Sequence, residues 1–512
     1  MQPFMSENGE YGGRAPAIVG TANVELSHSI YRSARLARDP RFDGKFFIGV
    51  RTTGIYCRPI CPAPSPKEQN VSYFPSAAAA AEAGLRPCLR CRPECSPGTP
   101  AWLGSSVTVT RALRLISEGA LEEGSIDALA ERLGIGSRHL RRLFLEHLGA
   151  TPVTVAQTRR LLAAKKLIDE TELPLTEIAI ASGFGSIRRF NSAFVATWGR
   201  SPREMRRRRE RTPAGGECTL ELRYRPPFDW AALIAFIAGR AIQGVEYATD
   251  AFYRRTITTA RGPGWLEVRP GAKGALTLVV HTPDSSELLA IASKARRMFD
   301  LDADPQAIFD HLRRDRLLQP LIKARPGLRV PGAWGGFELG IRTILGQQVS
   351  VAGASTLAGR LVEKLGKPTP FEVEGLTRVF PEPGALAEAD LSIGIPAARA
   401  ESIRRFARAV AAGEICFDAG VDSGTFQETL RGLPGIGPWT AEYIAMRALS
   451  DPNAFPASDL VLNRVCRGHE TESWQPWRAY AAMHIWQGVK DGRIDVFYND
   501  GKSRRKTAAG GG

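Results

Sequence analysis

The chain has 512 residues and a formal net charge of +15, from 68 Lys and Arg against 53 Asp and Glu. That length exceeds what one hydrophobic core serves, so roughly two to four domains are expected. The excess positive charge favours a polyanionic partner, nucleic acid ahead of an anionic membrane. No apolar run is long enough to span a bilayer, and residues 1–20 lack the pattern of a signal peptide, which predicts a cytoplasmic protein.

Five of the eight cysteines fall within one short stretch. Cys57 and Cys61 form one close pair, and Cys88 and Cys91 form another after a longer loop. In a reducing cytosol such a cluster indicates metal binding before it indicates disulfides, and each pair can supply two corners of a tetrahedral zinc site. We therefore predict one Zn²⁺ held by these four thiolates, with Cys95 as a spare candidate. A purely structural zinc site and free thiols are the alternatives.

The residues around these cysteines resemble the N-terminal domain of the Ada adaptive-response regulators. The stretches that carry the resemblance are 51–61, 70–74 and 86–93. In that family the first cysteine of the set, while bound to zinc, takes a methyl group from a DNA phosphotriester, and the resemblance gives this role to Cys57. Four thiolates around one divalent cation leave a net charge of about −2, so the sulfurs stay electron-rich. Spacing alone does not say which of the four attacks.

The next segment, residues 110–206, has helical periodicity, many arginines and an internal repeat. The predicted supporting helices are 125–133 and 175–181, and the predicted second helices are 137–148 and 186–197, with Ser137 as the N-cap of its helix. The second helix of such a pair enters the major groove by its N-terminal residues. The predicted DNA contacts are therefore Arg138, His139 and Arg141 in the first repeat, and Arg188, Arg189 and Asn191 in the second.

The second repeat also carries a family pattern, namely Ala179-x3-Gly183-Phe followed by Phe190, Phe194 and Gly199-x-Ser-Pro. This pattern resembles the tandem-helix domain of the AraC family, and the resemblance covers nearly the whole segment. It implies a transcription regulator that binds specific DNA. The alternative is a solvated helical bundle with ordinary surface arginines.

Two linkers divide the chain: residues 96–106 are rich in Pro, Gly and Ser, and residues 206–216 are a basic run followed by Thr-Pro-Ala-Gly-Gly. After the second, strand-like runs at 220–224, 256–259 and 276–280 surround a helical stretch at 230–239, and the pattern is helical from residue 285 onward. The predicted parts are a zinc-thiolate domain at 25–97, a helix-turn-helix domain at 107–210, an α+β subdomain at 217–304, a helical domain at 305–500 and a disordered tail at 501–512.

Residues 432–441 form a Gly-rich hairpin that leads into a helix, with Pro438 at a helix-start position. Gly435 and Gly437 would let backbone N–H groups approach a DNA phosphate without a Cβ in the way. Such helix-hairpin-helix motifs also occur in proteins that are not enzymes. Asp459 stands just before the next predicted helix, where an aspartate is more often an N-cap than a catalyst. A carboxylate there would also stabilise the oxocarbenium character that develops when an N-glycosidic bond breaks.

Residues 219–498 resemble the helix-hairpin-helix glycosylases and, among them, the AlkA 3-methyladenine glycosylases. Besides the hairpin, the stretches 226–230, 342–350 and 474–486 carry the resemblance. Alkylation at N3 or N7 makes a purine cationic, which weakens its bond to the sugar and attracts it to aromatic faces once it is flipped out of the helix. The resemblance places the flipped base among Phe236, Trp439, Tyr443 and Trp486, for which ordinary hydrophobic core is the alternative.

Two positions refine this resemblance. Trp439 stands where glycosylases that also nick the strand have a lysine, which implies simple hydrolysis by water. Gln348 stands where many AlkA-like enzymes place a leucine wedge, and a polar wedge can still fill the gap that the flipped base leaves.

The sequence thus predicts a multidomain α+β protein: a small zinc-bound α/β domain, an all-α tandem helix-turn-helix domain, a small α+β subdomain and a helical glycosylase domain. The expected function is DNA alkylation repair together with regulation of transcription. The alternative is a methylation-sensing transcription factor whose glycosylase part only holds DNA. The expected partner is double-stranded DNA, both alkylated and promoter, and RNA polymerase is a further candidate. The chain is expected to act as a monomer and to bind no membrane.

Overall fold

The computed structural model describes residues 21–97, 107–122, 124–206, 217–272, 274–417 and 421–495. The predicted tail 501–512 and most of both predicted linkers lie outside these residues. None of the helices in the described ranges is long and apolar enough to cross a membrane.

The N-terminal segment is a small sheet flanked by helices. Its elements are α1 (Thr21–Ala37), β1 (Phe47–Val50), β2 (Ile55–Cys57), β3 (Val71–Phe74), α2 (Ala77–Glu82) and β4 (Arg86–Pro87). The strand order is β3-β1-β2-β4, and β2 runs parallel to β4 with Tyr56 opposite Pro87. Because parallel strands point the same way, Cys57 at the end of β2 and Cys88 just after β4 arrive at the same end of the sheet.

The central segment consists of two helical repeats joined by one long helix. Its elements are α3 (Val107–Ser117), α4 (Ile126–Arg132), α5 (Ser137–Leu148), α6 (Pro152–Glu170), α7 (Leu175–Ala181), α8 (Ile187–Trp198) and α9 (Pro202–Met205). The pairs α4–α5 and α7–α8 are the predicted repeats. The prediction that Ser137 caps α5 was wrong, because Gly136 already has the extended backbone of an N-cap and Ser137 is the first helical residue. In the second repeat Ser186 does cap α8, its side chain accepting the N–H of Arg189.

The third segment is a five-stranded antiparallel sheet with two helices. Its elements are β5 (Glu217–Arg223), α10 (Trp230–Ala238), β6 (Glu246–Ala248), β7 (Tyr253–Thr259), β8 (Gly262–Pro270), β9 (Ala275–His281) and α11 (Leu288–Met298), with strand order β5-β9-β8-β7-β6. The three predicted strands coincide with parts of β5, β7 and β9, and the first of them, 220–224, extends one residue beyond β5. The central strand β8 was not predicted, because it opens with Gly-Pro-Gly and shows no clean alternation of apolar residues.

The fourth segment is helical apart from one hairpin. Its elements are α12 (Pro305–Leu312), α13 (Leu318–Ala324), α14 (Gly336–Leu345), α15 (Val351–Leu365), β10 (Pro368–Val373), β11 (Leu376–Arg378), α16 (Pro383–Ala387), α17 (Ala397–Ala411), α18 (Ser423–Arg431), α19 (Pro438–Ala448), α20 (Leu460–Val465) and α21 (Arg478–Lys490). The expectation of helix throughout was wrong at β10–β11. That hairpin turns at Gly375, whose φ is +78°, and it is tied to the sheet by Thr377 N–H, which donates to the Gly244 carbonyl at 2.8 Å.

Buried charges join the sheet to the helical domain. Arg255 on β7 donates to Glu338 on α14 at 2.7 Å, and Arg342 on α14 contacts Glu246 at the start of β6 at 2.9 Å and Glu338 at 3.2 Å. Arg342 also donates to the carbonyl of Arg240, just past the end of α10. Two guanidinium groups and two carboxylates therefore neutralise one another at this junction, which we call the charged seam.

A single carboxylate touches three parts of the chain. Glu170, the last residue of α6, accepts hydrogen bonds from Arg92 at 3.2 Å and from the Cys95 thiol at 3.5 Å in the N-terminal segment. Its other oxygen accepts the N–H of Glu221 on β5 at 3.1 Å. Its side chain is only 8% exposed. We call this contact the Glu170 joint.

Candidate functional site

The four predicted zinc ligands come together. The Sγ atoms of Cys57, Cys61, Cys88 and Cys91 all lie within 4.8 Å of one another. Tetrahedral zinc with Zn–S bonds of about 2.3 Å needs sulfurs about 3.8 Å apart, so the cluster fits the ion. Cys95 is not in the group, because its thiol points to Glu170 instead.

Exposure separates the four ligands into two kinds. Cys88 and Cys91 are buried, whereas Cys57 and Cys61 are partly exposed. Behind the cluster, the backbone N–H of Arg58 donates to Cys91 Sγ at 3.3 Å, and its buried guanidinium donates to the Cys91 carbonyl at 2.9 Å and to Asp43. Of the four ligands, Cys57 and Cys61 are therefore the two that are not buried, which narrows the choice of reactive cysteine that spacing left open.

The predicted DNA-reading residues lie on exposed helix faces. On α5, Arg138, His139 and Arg141 are exposed, while Leu140 and Phe144 of the same helix are fully buried. On α8, the exposed residues are Arg188, Arg189 and Asn191. Both second helices thus present their N-terminal turns to solvent.

The Gly-rich hairpin between α18 and α19 packs against Ser402 of α17 and is hydrogen-bonded by Gln347. Gly435 has a φ of +88°, and a Cβ there would lie 2.1 Å from the Ser402 hydroxyl, so only glycine fits without displacement. Its carbonyl accepts a hydrogen bond from the Gln347 amide at 2.9 Å. Gly437 is the N-cap of α19 and leaves open space where its Cβ would be. This arrangement leaves Gly435, Gly437 and Pro438 exposed at the start of α19.

A cavity of about 400 Å³ lies beside this hairpin. It is lined by the four predicted aromatic residues and by Asp459; the aromatic residues are Phe236, Trp439, Tyr443 and Trp486. Trp439 stacks on Tyr443 with ring centres 5.3 Å apart and planes at 15°, and Trp486 lies 6.4 Å from Tyr443. A volume of this size accommodates one purine base.

Gln348 does not line the cavity. It is exposed, with a left-handed backbone (φ +58°), and its neighbours Gly346 and Val349 line the cavity in its place. The loop is fixed by Arg399, which donates to the Gln347 carbonyl at 2.7 Å. Gln348 is therefore at the mouth of the cavity rather than inside it.

Asp459 is both an N-cap and a cavity residue. Its Oδ1 accepts the N–H groups of Val461 at 3.0 Å and Leu462 at 3.2 Å at the start of α20, and also the indole N–H of Trp486 at 3.0 Å. Within the described ranges, Oδ2 accepts no hydrogen bond. The two interpretations of Asp459 made from sequence are thus compatible, since one oxygen caps the helix and the other is available to a ligand.

Three arginines of the cavity were not predicted. Arg240, Arg342 and Arg447 line it together with the aromatic residues. The one signal in the sequence was that Arg240 follows Phe236 by one helical turn, which places both on one face of α10 and its end. Arg447 is likewise one turn after Tyr443 and donates to its hydroxyl at 2.9 Å.

Comparison with known families covers all four segments. The models that match are the metal binding domain of Ada at residues 31–94, a helix-turn-helix domain at 129–208, the AlkA N-terminal domain at 219–335 and the HhH-GPD superfamily base excision DNA repair protein at 341–490. These matches confirm the predicted resemblances, the predicted fold class and the zinc site. They define a class of protein in which a base-excision glycosylase is joined to a metal-binding, DNA-binding regulator.

Individual relatives narrow this class. The chain is 39% identical over 474 residues to the probable bifunctional transcriptional activator/DNA repair enzyme AlkA of Mycobacterium tuberculosis, covering 89% of this chain and 95% of the relative. It is 35% identical over 280 residues to DNA-3-methyladenine glycosylase 2 of Escherichia coli, covering 52% of this chain and 95% of that protein. It is 34% identical over 189 residues to the activator and repair enzyme Ada of Escherichia coli, covering 37% of this chain and 49% of that protein. The chain belongs to the family of bifunctional transcriptional activator/DNA repair enzymes that combine Ada and AlkA domains.

The zinc site makes a direct prediction. The purified chain should contain one zinc ion, and Cys88→Ser should lose it and unfold the N-terminal segment, because structural zinc contributes its binding free energy to folding. Metal content by mass spectrometry and melting by circular dichroism measure both effects. Cys416→Ser is the matched control, since Cys416 is exposed and outside the cluster. A Cys88→Ser chain with a full complement of zinc would contradict the assignment.

Proposed function

We propose that the C-terminal half hydrolyses the N-glycosidic bond of alkylated bases such as 3-methyladenine, with Asp459 as its catalytic residue. The observation that carries this is the Asp459 carboxylate, which is held by three N–H donors on one oxygen while the other borders a cavity of base size. An anion fixed there would stabilise the positive charge that builds on the sugar as the bond breaks.

The aromatic residues would hold the base, and water would complete the reaction. Trp439, Tyr443 and Trp486 offer the surfaces on which an electron-poor purine stacks. Strand-nicking glycosylases have a lysine at the position of Trp439, whereas the lysine that lines this cavity, Lys490, is the last residue of α21. The absence of a lysine at position 439 supports a monofunctional glycosylase. Gln348, at the mouth, would fill the gap left in the duplex.

We propose that Cys57 is the methyl acceptor of the N-terminal segment. Supporting this, it is one of only two cluster sulfurs with solvent access, and the resemblance to Ada selects it over Cys61. The thiolate sulfur would attack the methyl carbon of a methyl phosphotriester; the carbon–oxygen bond breaks and the phosphodiester leaves with its electron pair. A thioether has no leaving group of comparable quality, so the transfer is irreversible.

We further propose how the parts cooperate. The helix-turn-helix segment would read promoter DNA through the exposed residues of α5 and α8. The protein would act as a monomer in the cytoplasm. RNA polymerase would be its partner at the promoter. The domains would divide at the boundaries predicted from sequence. The proposed reading of promoter DNA is supported by the exposed arginines of both helices and by the Ada and helix-turn-helix matches.

Base excision is tested by Asp459→Asn. The substitution removes the charge but keeps the volume, so release of 3-methyladenine should fall about 100-fold or more while the fold and DNA affinity persist. Single-turnover release from methylated duplex DNA measures the rate. Asp422→Asn is the matched control, because Asp422 caps α18 in the same way but is remote from the cavity. Unaltered excision by Asp459→Asn would leave this residue as a helix cap and favour the non-catalytic scaffold.

Methyl transfer is tested by mapping the modified residue. After incubation with DNA that carries methyl phosphotriesters, peptide mass spectrometry should find one methyl group on Cys57 and none on the other cluster sulfurs. Cys57→Ala should take up no methyl group. Methylation found on Cys61 instead would contradict the assignment that rests on the position of Cys57 in the motif, because Cys61 is also partly exposed.

A methylation switch is expected from the charge of the cluster. Methylating Cys57 turns one thiolate into a neutral thioether, so the site changes from about −2 to about −1 and is repelled less by DNA phosphates. Promoter affinity should therefore rise on methylation, and the rise should shrink between roughly 50 and 200 mM salt. Binding isotherms of methylated and unmethylated chain on the same promoter duplex test this. Equal affinities at both salt concentrations would remove the switch.

A further inference from the structure

The cavity beside Asp459 is lined by positively charged side chains as well as by aromatic residues. Arg240, Arg342 and Arg447 all line it. Arg342 is neutralised at the charged seam. In the part of the chain that the structure describes, no carboxylate lies within 4.0 Å of the guanidinium groups of Arg240 and Arg447. These two guanidinium groups and the ammonium group of Lys490 therefore border the cavity with the single carboxylate of Asp459.

Arg240 already occupies the face of one of the aromatic residues. Its guanidinium carbon lies 3.7 Å from the centre of the Phe236 ring, and its Nη1 donates to the Phe236 carbonyl at 3.2 Å. Arg447 lies 5.1 Å from the same ring. A ring that holds a cation in this way attracts a second cation less, so Phe236 is not a free surface for a charged base.

The same arginines also shift the pKa of Tyr443. Burial raises the pKa of its phenol, yet that pKa is lowered overall because Arg447, Arg240 and Arg342 stabilise the tyrosinate and Arg447 donates a hydrogen bond to it. The arginines therefore make the surroundings of the Tyr443 hydroxyl, in the wall of the cavity, electropositive.

We propose that Arg240 sets the preference of the cavity between cationic and neutral damaged bases, an inference that rests on the base excision proposed above. A purine alkylated at N3 or N7 enters with a positive charge and leaves neutral. A neutral damaged purine takes the electron pair of the broken C1′–N bond and leaves as an anion, which then accepts the proton of the attacking water. For the cationic base that proton passes to solvent, and in both cases the water oxygen bonds to C1′.

The Arg240 cation acts oppositely on these two substrates. It repels a base that arrives with a positive charge, and it stabilises the negative charge that develops on a neutral base as it departs. Unlike the carboxylate of Asp459, which assists both substrates at the sugar, Arg240 therefore changes the ratio of their rates.

The test compares two substrates in the full-length chain. Single-turnover release is measured from one duplex with 7-methylguanine, which is cationic, and from the same duplex with hypoxanthine, which is neutral. In Arg240→Gln the rate ratio of cationic to neutral base should rise about tenfold, the effect of removing one charge close to the base. Arg240→Lys keeps the charge and should return the ratio to near that of the unsubstituted chain.

Controls separate this role from packing. Arg313→Gln is the matched control, because Arg313 also lies over a phenylalanine, Phe309, but outside the cavity, and it should leave the ratio unchanged. If Arg240→Gln melts early, Arg240→Met repeats the test with an apolar chain over Phe236. An unchanged ratio in the neutral variants, or no release of hypoxanthine by the unsubstituted chain, would overturn the proposal. Failure to release either base would instead contradict the proposed glycosylase activity.

Discussion

The base cavity depends on the charged seam between the sheet and the helical domain. Its walls come from both sides: Phe236 and Arg240 belong to α10 and its end, whereas Tyr443 and Trp486 belong to α19 and α21. Buried charges such as Glu338 are tolerated only while paired, and removing one partner of such a pair typically costs about 3–5 kcal/mol. The pairing is therefore satisfied in one relative position of the two subdomains. That position is the one in which the aromatic residues and the Asp459 carboxylate face one another.

The predicted zinc site likewise depends on contacts between parts of the chain that are distant in sequence. The parallel pair β2 and β4 brings two distant cysteine pairs to one end of a sheet, and the buried Arg58 fixes the loops between them through Asp43. A zinc ion bound there would offset two of the four thiolate charges and so allow the sulfurs to share so small a space. At both sites, protein groups hold one side of the functional group and leave its other side available to a ligand. In the base cavity the available atom is Oδ2 of Asp459, and in the metal site it is the side formed by Cys57.

The sequence predicted the features that repeat or cluster along the chain. Cysteine spacing indicated the zinc ligands, the repeat indicated both helix pairs, and family motifs singled out Asp459 and the aromatic residues of the base pocket. Features that arise from long-range contacts could not be predicted. Arg240 looks like any surface arginine until the fold puts it over Phe236, and β8 becomes a strand because two neighbours pair with it. The error at Ser137 was local, since an N-cap one residue earlier is equally compatible with the sequence.

The Glu170 joint has a consequence for the integrity of the chain. One carboxylate binds Arg92 and Cys95 on one side and the backbone of Glu221 on the other, while Arg225 of the third segment donates to the Asp43 carbonyl of the first at 3.1 Å. A protease cut in either linker would therefore not separate the pieces at once. Covalent connection holds the partners at an effective concentration in the millimolar range. After a cut, these polar contacts and the hydrophobic core that α6, α7 and α8 share with the five-stranded sheet would hold the nicked halves together, at an affinity that dilution would reveal.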